Sequence, residues 1–207
     1  GELYKQALVK ETFGKYVGSD VLSMIMRSPD KGWLKGRKTE ASILFADIRG
    51  FTGYSESKEP EEVVERLNEF FAIATDVVLK YDGYVDKFIG DSVLAVFGVP
   101  VYEEDHCEKC LEAAIEIQQE LNKRASGKNS LLQRVGIGIA SGVVVAGNIG
   151  SQVKTEYTVI GDCVNVASYL NSLAGPGEIV IGNGVSKKLR HMVNVEQLES
   201  QKVKGRE

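Results

Sequence analysis

From Ile43 onward, apolar runs and amphipathic stretches succeed one another in the order strand, helix, strand, strand, helix, strand, and few folds accept that order. Ile43-Leu44-Phe45 is a short continuous apolar run, the mark of a strand buried on both faces. Beyond Asp47 and Gly50 an amphipathic helical region begins. Pro60, Glu61 and Glu62 suit a helical first turn, and Val63, Leu67, Phe70, Phe71, Ala74, Val77 and Val78 recur at three- and four-residue steps. Asp82-Gly83 stops this helix. Tyr84 to Ile89 and Ser92 to Phe97 read as strands, and the Gly90-Asp91 pair between them is a two-residue hairpin signal. Glu103 to Arg124 reads as the second helix, and Val135, Ile137 and Ile139, alternating with Gly136 and Gly138, as the next strand. The pattern is the split βαβ, ferredoxin-like (palm-like) βαββαβ core of the α+β class, with further strands and helices toward the C-terminus.

In that topology the third strand lies between the first two and runs antiparallel to both. The C-terminal end of the first strand, Asp47, then sits beside the hairpin tip, Asp91. One aspartate at a strand end or in a Gly-Asp turn is commonly no more than solvated. Two carboxylates brought together by topology repel one another unless a cation joins them. Hard cations such as Mg²⁺ take oxygen ligands and share them with substrate phosphates, so the pair points to nucleotide chemistry.

The segments FADIRGFT (Phe45 to Thr52), KFIGDSVLAVFG (Lys87 to Gly98), RVGIGIASGVVVAGNIG (Arg134 to Gly150) and EYTVIGDCVNVAS (Glu156 to Ser168), in this order, resemble the catalytic domain of the class III nucleotide cyclases. The resemblance covers roughly residues 40 to 205; the stretch from Phe13 to Pro29 resembles the linker that precedes such domains in bacterial multidomain cyclases, so residues 1–39 are expected to be an N-terminal helical linker or transducer segment. It implies a homodimer with composite active sites at the interface, each holding two Mg²⁺ or Mn²⁺ ions through Asp47, Asp91 and the carbonyl of Ile48. The backbone of Gly50, Phe51 and Thr52, at a helix start, would cradle the triphosphate. Arg134 matches a phosphate-binding arginine, Lys204 a triphosphate-binding lysine, and Asn165 the asparagine that orients the ribose region.

By the same resemblance, two positions choose the base. Adenylyl members carry a lysine just before the Phe-x-Gly-Asp hairpin and an aspartate or threonine before the Val-Ile-Gly turn, whereas guanylyl members usually carry glutamate and cysteine. This chain has Lys87 and Thr158. A lysine can donate to the adenine ring nitrogen and a threonine can accept from the exocyclic amine, while guanine presents the opposite pattern. The implied reaction is therefore conversion of ATP to 3′,5′-cyclic AMP and pyrophosphate. In one respect the chain departs from the family: active members read Val-Asn-x-Ala-x-Arg-Leu, and here Tyr169 stands in the place of that arginine. Asn165 and Tyr169 are four apart on an expected helix and share a face. A tyrosine brings one hydrogen bond and no cation, so the expectation is a slow adenylyl cyclase. The alternatives are a nucleotide-binding regulatory module without turnover, or a guanylyl cyclase. Diguanylate cyclases share two-metal logic, but their Gly-Gly-Asp/Glu-Glu-Phe signature is absent.

Composition argues against several other classes. A net charge of −4 gives no support to a nucleic-acid surface. No apolar run approaches the roughly 20 residues of a membrane-spanning helix, and no signal peptide is visible. Three cysteines argue against a disulfide framework and fit a reducing cytoplasm. The chain opens at Gly1 and stops at Glu207, shortly after Val203-Lys204-Gly205, which reads as an excised fragment with a C-terminal strand cut away and a sensor or membrane domain upstream. His106-Cys107-Glu108-Lys109-Cys110 invites a zinc reading, but no second ligand pair exists, and Cys110 falls in the apolar register of Leu111, Ala114, Ile115 and Leu121.

Later segments read less sharply. Ser141-Gly142 is expected to turn the chain into Val143 to Ala146, and Asn148 to Glu156 to form a mobile loop. Thr158 to Leu173 leads into a helix broken at Gly175-Pro176-Gly177, followed by a strand at Glu178 to Ile181 and a helix near Val185 to Arg190. Edge strands are expected at Val193 to Leu198 and Gln201 to Lys204. The N-terminal segment reads as helix interrupted near Gly14 and Gly18, either pairing with its twin in a dimer or capping the domain's own core.

Overall fold

The computed structural model describes residues 2–27, 36–125 and 130–198. Helices α1 (Glu2–Val17) and α2 (Ser19–Arg27) precede strand β1 (Arg37–Ile48), the short α3 (Phe51–Glu56) and α4 (Pro60–Lys80). The β2 (Tyr84–Ile89) and β3 (Ser92–Phe97) hairpin leads to α5 (His106–Arg124), and a 3-10 turn (Leu131–Arg134) opens β4 (Val135–Gly150). Strand β5 (Thr155–Ile160), helix α6 (Asp162–Leu173), strand β6 (Ile179–Ile181) and helix α7 (Asn183–Leu189) complete the described fold. The strands form one sheet in the order β2-β3-β1-β4-β5, with β6 parallel to β4. The third strand lies between the first two and antiparallel to both, as the split βαβ pattern requires.

Both faces of β1 are covered, which its continuous apolar run predicts. Leu44, Ala46 and Ile48 join a core with Phe70, Val77 and Val78 of α4 and Cys110, Leu111 and Leu121 of α5. Ala41 and Ile43 face a second core containing Val21 of α2 and Cys163 and Ala167 of α6. Val21 is buried, so the N-terminal segment caps the domain's own core at α2. The helix break falls at Gly18 alone, whose positive φ of 87° suits glycine, while α1 runs through Gly14.

Three expectations need correction. The region from Val135 to Gly150 is one strand of 16 residues, with no turn at Ser141-Gly142. Asn148 to Glu156 is no loop: Asn148 pairs with Tyr157, Ile149 with Glu156 and Gly150 with Thr155, leaving residues 151–154 as the turn. Val193 to Leu198 forms no strand, and Val195 and Leu198 are exposed there. The strand expected at Gln201 to Lys204 lies outside the described residues.

The glycines of β4 admit a helix. A Cβ on Gly138 would lie 2.1 Å from the backbone nitrogen of Asn171 and 2.4 Å from the carbonyl oxygen of Ala167, both in α6. Gly138→Ala is expected to destabilise the fold by about 3 kcal/mol through overpacking, read as a lowered urea midpoint. Gly182→Ala, whose Cβ would meet nothing nearer than 3.4 Å, is the control and should cost little.

His106 belongs to this core too. It is 1% exposed and its Nδ1 lies 2.8 Å from the Ser42 hydroxyl. Burial, and then the charge of Lys188, hold its pKa below the ordinary 6.5, against Glu40 and Asp105, which act the other way. The unfolded imidazole takes up a proton as pH falls through 6.5 while the folded one does not, so this residue's contribution to stability declines below that pH. The melting temperature should drop between about pH 7.5 and about pH 5.5, and His106→Gln should flatten that slope.

Candidate active site

The end of β1 and the tip of the β2–β3 hairpin meet, because Asp47 pairs with Ser92 in the antiparallel register. The Ile48 amide donates to Asp91 Oδ2 at 3.2 Å, which holds the Asp91 carboxylate one residue from Asp47. Burial is the main cause that raises the pKa of Asp47, and the Asp91 charge raises it further. The Arg49 guanidinium opposes both effects. Asp47, Ile48, Arg49, Gly50, Phe51, Thr52 and Asp91 line one open depression of about 230 Å³. Gly50 takes a left-handed φ of 71° and turns the chain from β1 into α3. The helix start leaves the following amides without intrahelical acceptors.

The depression also contains a residue whose part the sequence reading missed. Arg49 forms an ion pair with Asp47, and its guanidinium donates to Asn171 Oδ1 at 2.8 Å. Asn171 is fixed in turn by its amide nitrogen, which donates to the carbonyls of Gly136 and Phe45. Asn171 continues the inward register of Cys163 and Ala167 on α6, a four-residue spacing visible in the sequence. Arg49 lies inside the FADIRGFT segment, but its partner 122 positions away does not.

Arg134 ends the 3-10 turn, and its carbonyl accepts the amide of Arg49 at 2.8 Å, but Arg134 itself does not line the depression. Asn165 and Tyr169 both lie on α6, four residues apart and off the inward face of Cys163, Ala167 and Asn171. Lys204 lies outside the described residues.

Lys87 and Thr158 form a second group. They sit on β2 and β5, the two ends of the strand path, which meet through side chains. Lys87 Nζ donates to Glu156 Oε2 at 2.7 Å, Thr158 Oγ1 donates to Asp86 Oδ2 at 2.6 Å, and the Tyr84 hydroxyl donates to the Tyr157 carbonyl at 3.0 Å. Burial raises the pKa of Asp86, while the Thr158 hydroxyl, the Lys87 charge and the Val159 amide oppose it. None of these residues lines the Asp47–Asp91 depression.

An oxygen-only set of two carboxylates and a carbonyl, in mutual repulsion, fits a hard divalent cation. Among the described residues no group of three or more His, Cys, Asp or Glu converges as a metal site, so phosphates or water would complete the coordination. The zinc alternative finds no support: Cys107 and Cys110 are buried and His106 engages Ser42. No helix among the described residues is long and apolar enough to cross a membrane.

Residues 34–207 match the sequence family described as the adenylate and guanylate cyclase catalytic domain. Adenylate cyclase 1 of Rhizobium meliloti is 35% identical over 202 residues, covering 94% of this chain and 30% of that protein. An uncharacterized protein of Mycobacterium tuberculosis is 38% identical over 181 residues, covering 86% of this chain and 32% of its own length. The chain thus spans about a third of the curated relatives it matches. Among solved structures, the guanylyl cyclase Cya2 superposes with a TM-score of 0.75 at 34% identity, covering 83% of this chain and 88% of that one. The adenylyl cyclase CyaB from P. aeruginosa gives 0.75 at 29% identity, covering 83% and 91%.

Proposed function

The chain belongs to the adenylate and guanylate cyclase catalytic domain family, and on that premise we propose that it is an adenylyl cyclase of low turnover, converting ATP to cyclic AMP and pyrophosphate. The observation that carries this reading is the convergence of Asp47 and Asp91 beside the Gly50–Thr52 turn. Asp47, Asp91 and the Ile48 carbonyl would hold two Mg²⁺ or Mn²⁺ ions, which when bound supply Lewis-acid activation of the ribose 3′-hydroxyl and neutralise phosphate charge. The amides of Gly50, Phe51 and Thr52, with Arg134 and Lys204, take the triphosphate. Asn165 orients the ribose, and Lys87 with Thr158 reads adenine. In-line attack of the 3′-oxygen on the α-phosphorus then expels pyrophosphate, the chain contributing mainly position and charge. Tyr169, in place of the family's arginine, leaves the α-phosphate without a fixed cation, so turnover is low.

The active unit in this reading is a homodimer. Its support is that the carboxylate depression and the Lys87–Thr158 group are separate on one chain, which a second copy would reunite. Residues 1–39 serve as the linker from an upstream sensor or membrane domain, with the catalytic part, from residue 40, in the cytoplasm. The experiment is to incubate the protein with ATP or GTP under Mg²⁺ or Mn²⁺ and resolve the products by chromatography, with Asp47→Asn as the blank. Cyclic AMP as the main product is expected. Metal-dependent ATP binding without product would favour a regulatory module, and predominant cyclic GMP a guanylyl cyclase.

A further inference from the structure

The carboxylate of Asp86 has no role in the function just described, yet it is the best-buried charged group near the base-reading pair. Its side chain is 1% exposed, and its Oδ1 has no hydrogen-bond partner. The strand register explains how it gets there. Val85 pairs with Ala95 and Lys87 with Leu94, so Asp86 is the extra residue of a β-bulge. In a regular strand, successive side chains point to opposite faces. A bulge re-aims them, and here Asp86 and Lys87 both reach β5, at Thr158 and Glu156. Asp86 Oδ1 also lies 3.8 Å from Lys87 Nζ, whose positive charge favours the ionised carboxylate.

An ionised carboxylate only accepts hydrogen bonds. The Thr158 hydroxyl proton is therefore committed to Asp86, and the outward side of Thr158 Oγ1 presents lone pairs alone. Such an oxygen can accept from the 6-amino group of a purine but cannot donate to a 6-carbonyl. A free threonine hydroxyl would rotate and serve both.

Resting on the adenylyl reading above, we propose that Asp86 is a specificity-determining positioning residue: by fixing the direction of the Thr158 hydroxyl it makes the site select 6-aminopurine over 6-oxopurine nucleoside triphosphates. Asp86 does not touch the purine. It acts through Thr158, and the bulge in β2 exists to deliver it there.

The test compares ATP with GTP, by kcat/KM for product formation and independently by displacement of a fluorescent nucleotide. Asp86→Asn keeps the shape but offers Thr158 either a donor or an acceptor. The ATP-over-GTP preference should fall about tenfold, the effect of misdirecting one hydrogen bond, with the melting temperature as the folding check. Should Asp86→Asn fail to fold, Asp86→Ser, smaller and uncharged, is the second variant. In a Thr158→Val background the Asp86 substitution should change the preference no further, a coupling that a merely structural role would not produce. An unchanged preference in a folded Asp86 variant overturns the inference while leaving the cyclase reading intact. Wild-type protein that binds ATP over GTP without making cyclic nucleotide overturns the cyclase reading, and the inference is then decided on binding. Wild-type protein that binds neither overturns both.

Discussion

Asp47→Asn is expected to lower cyclic nucleotide formation at least about 10³-fold, since a bound metal supplies several kcal/mol of charge stabilisation in the transition state. The substitution is close to isosteric and keeps an oxygen that can accept from Arg49, the partner of Asp47 in the free protein. It removes a charge that burial and Asp91 penalise more than Arg49 favours it, as the raised pKa of Asp47 records. The melting temperature should therefore be no lower than that of the wild type. Activity and stability thus part company, which separates loss of a ligand from loss of the fold. A variant retaining a tenth or more of the wild-type rate would remove Asp47 from the chemistry and the metal reading with it.

Tyr169→Arg should raise turnover by roughly 10²–10³-fold, the scale set by one preorganised transition-state donor worth about 2.7–4 kcal/mol. Tyr169 is partly buried on α6, four residues after the exposed Asn165, where the family resemblance puts a cation. The gain should appear in kcat with KM little changed, because the missing interaction acts on charge that develops only in the transition state. Equal kcat for Tyr169→Arg and wild type, under conditions where Asp47→Asn is inactive, would show that the slow step lies elsewhere.

The order of elements and the meeting of Asp47 with Asp91 could be read from periodicity, because a buried strand and an amphipathic helix leave different repeats in the sequence. Features that depend on partners far along the chain could not. Strand β1 begins at Arg37, six residues before its apolar run, because Arg37 to Glu40, polar and mostly exposed, pair with Val143 to Ala146 of β4. Gly142 looks like a turn in isolation, yet it lies inside β4, where a Cβ would come within 3.2 Å of Cys163. Val193 and Val195 have the alternate spacing of an edge strand but find no strand to pair with among the described residues. The bulge at Asp86 leaves no mark on local alternation, so its carboxylate could be assigned only once β5 was seen beside it. Arg49 was visible as a residue, and its engagement with Asn171 was not.

The elbow at Gly18 bears on Tyr84, since a Cβ there would lie 3.0 Å from the Tyr84 ring. The phenol is held at its far end by the Tyr157 carbonyl, next along the chain from Thr158. The ring therefore stands between that elbow and β5, the strand that carries Thr158. A side chain added at position 18 would press on that phenol and be felt at β5.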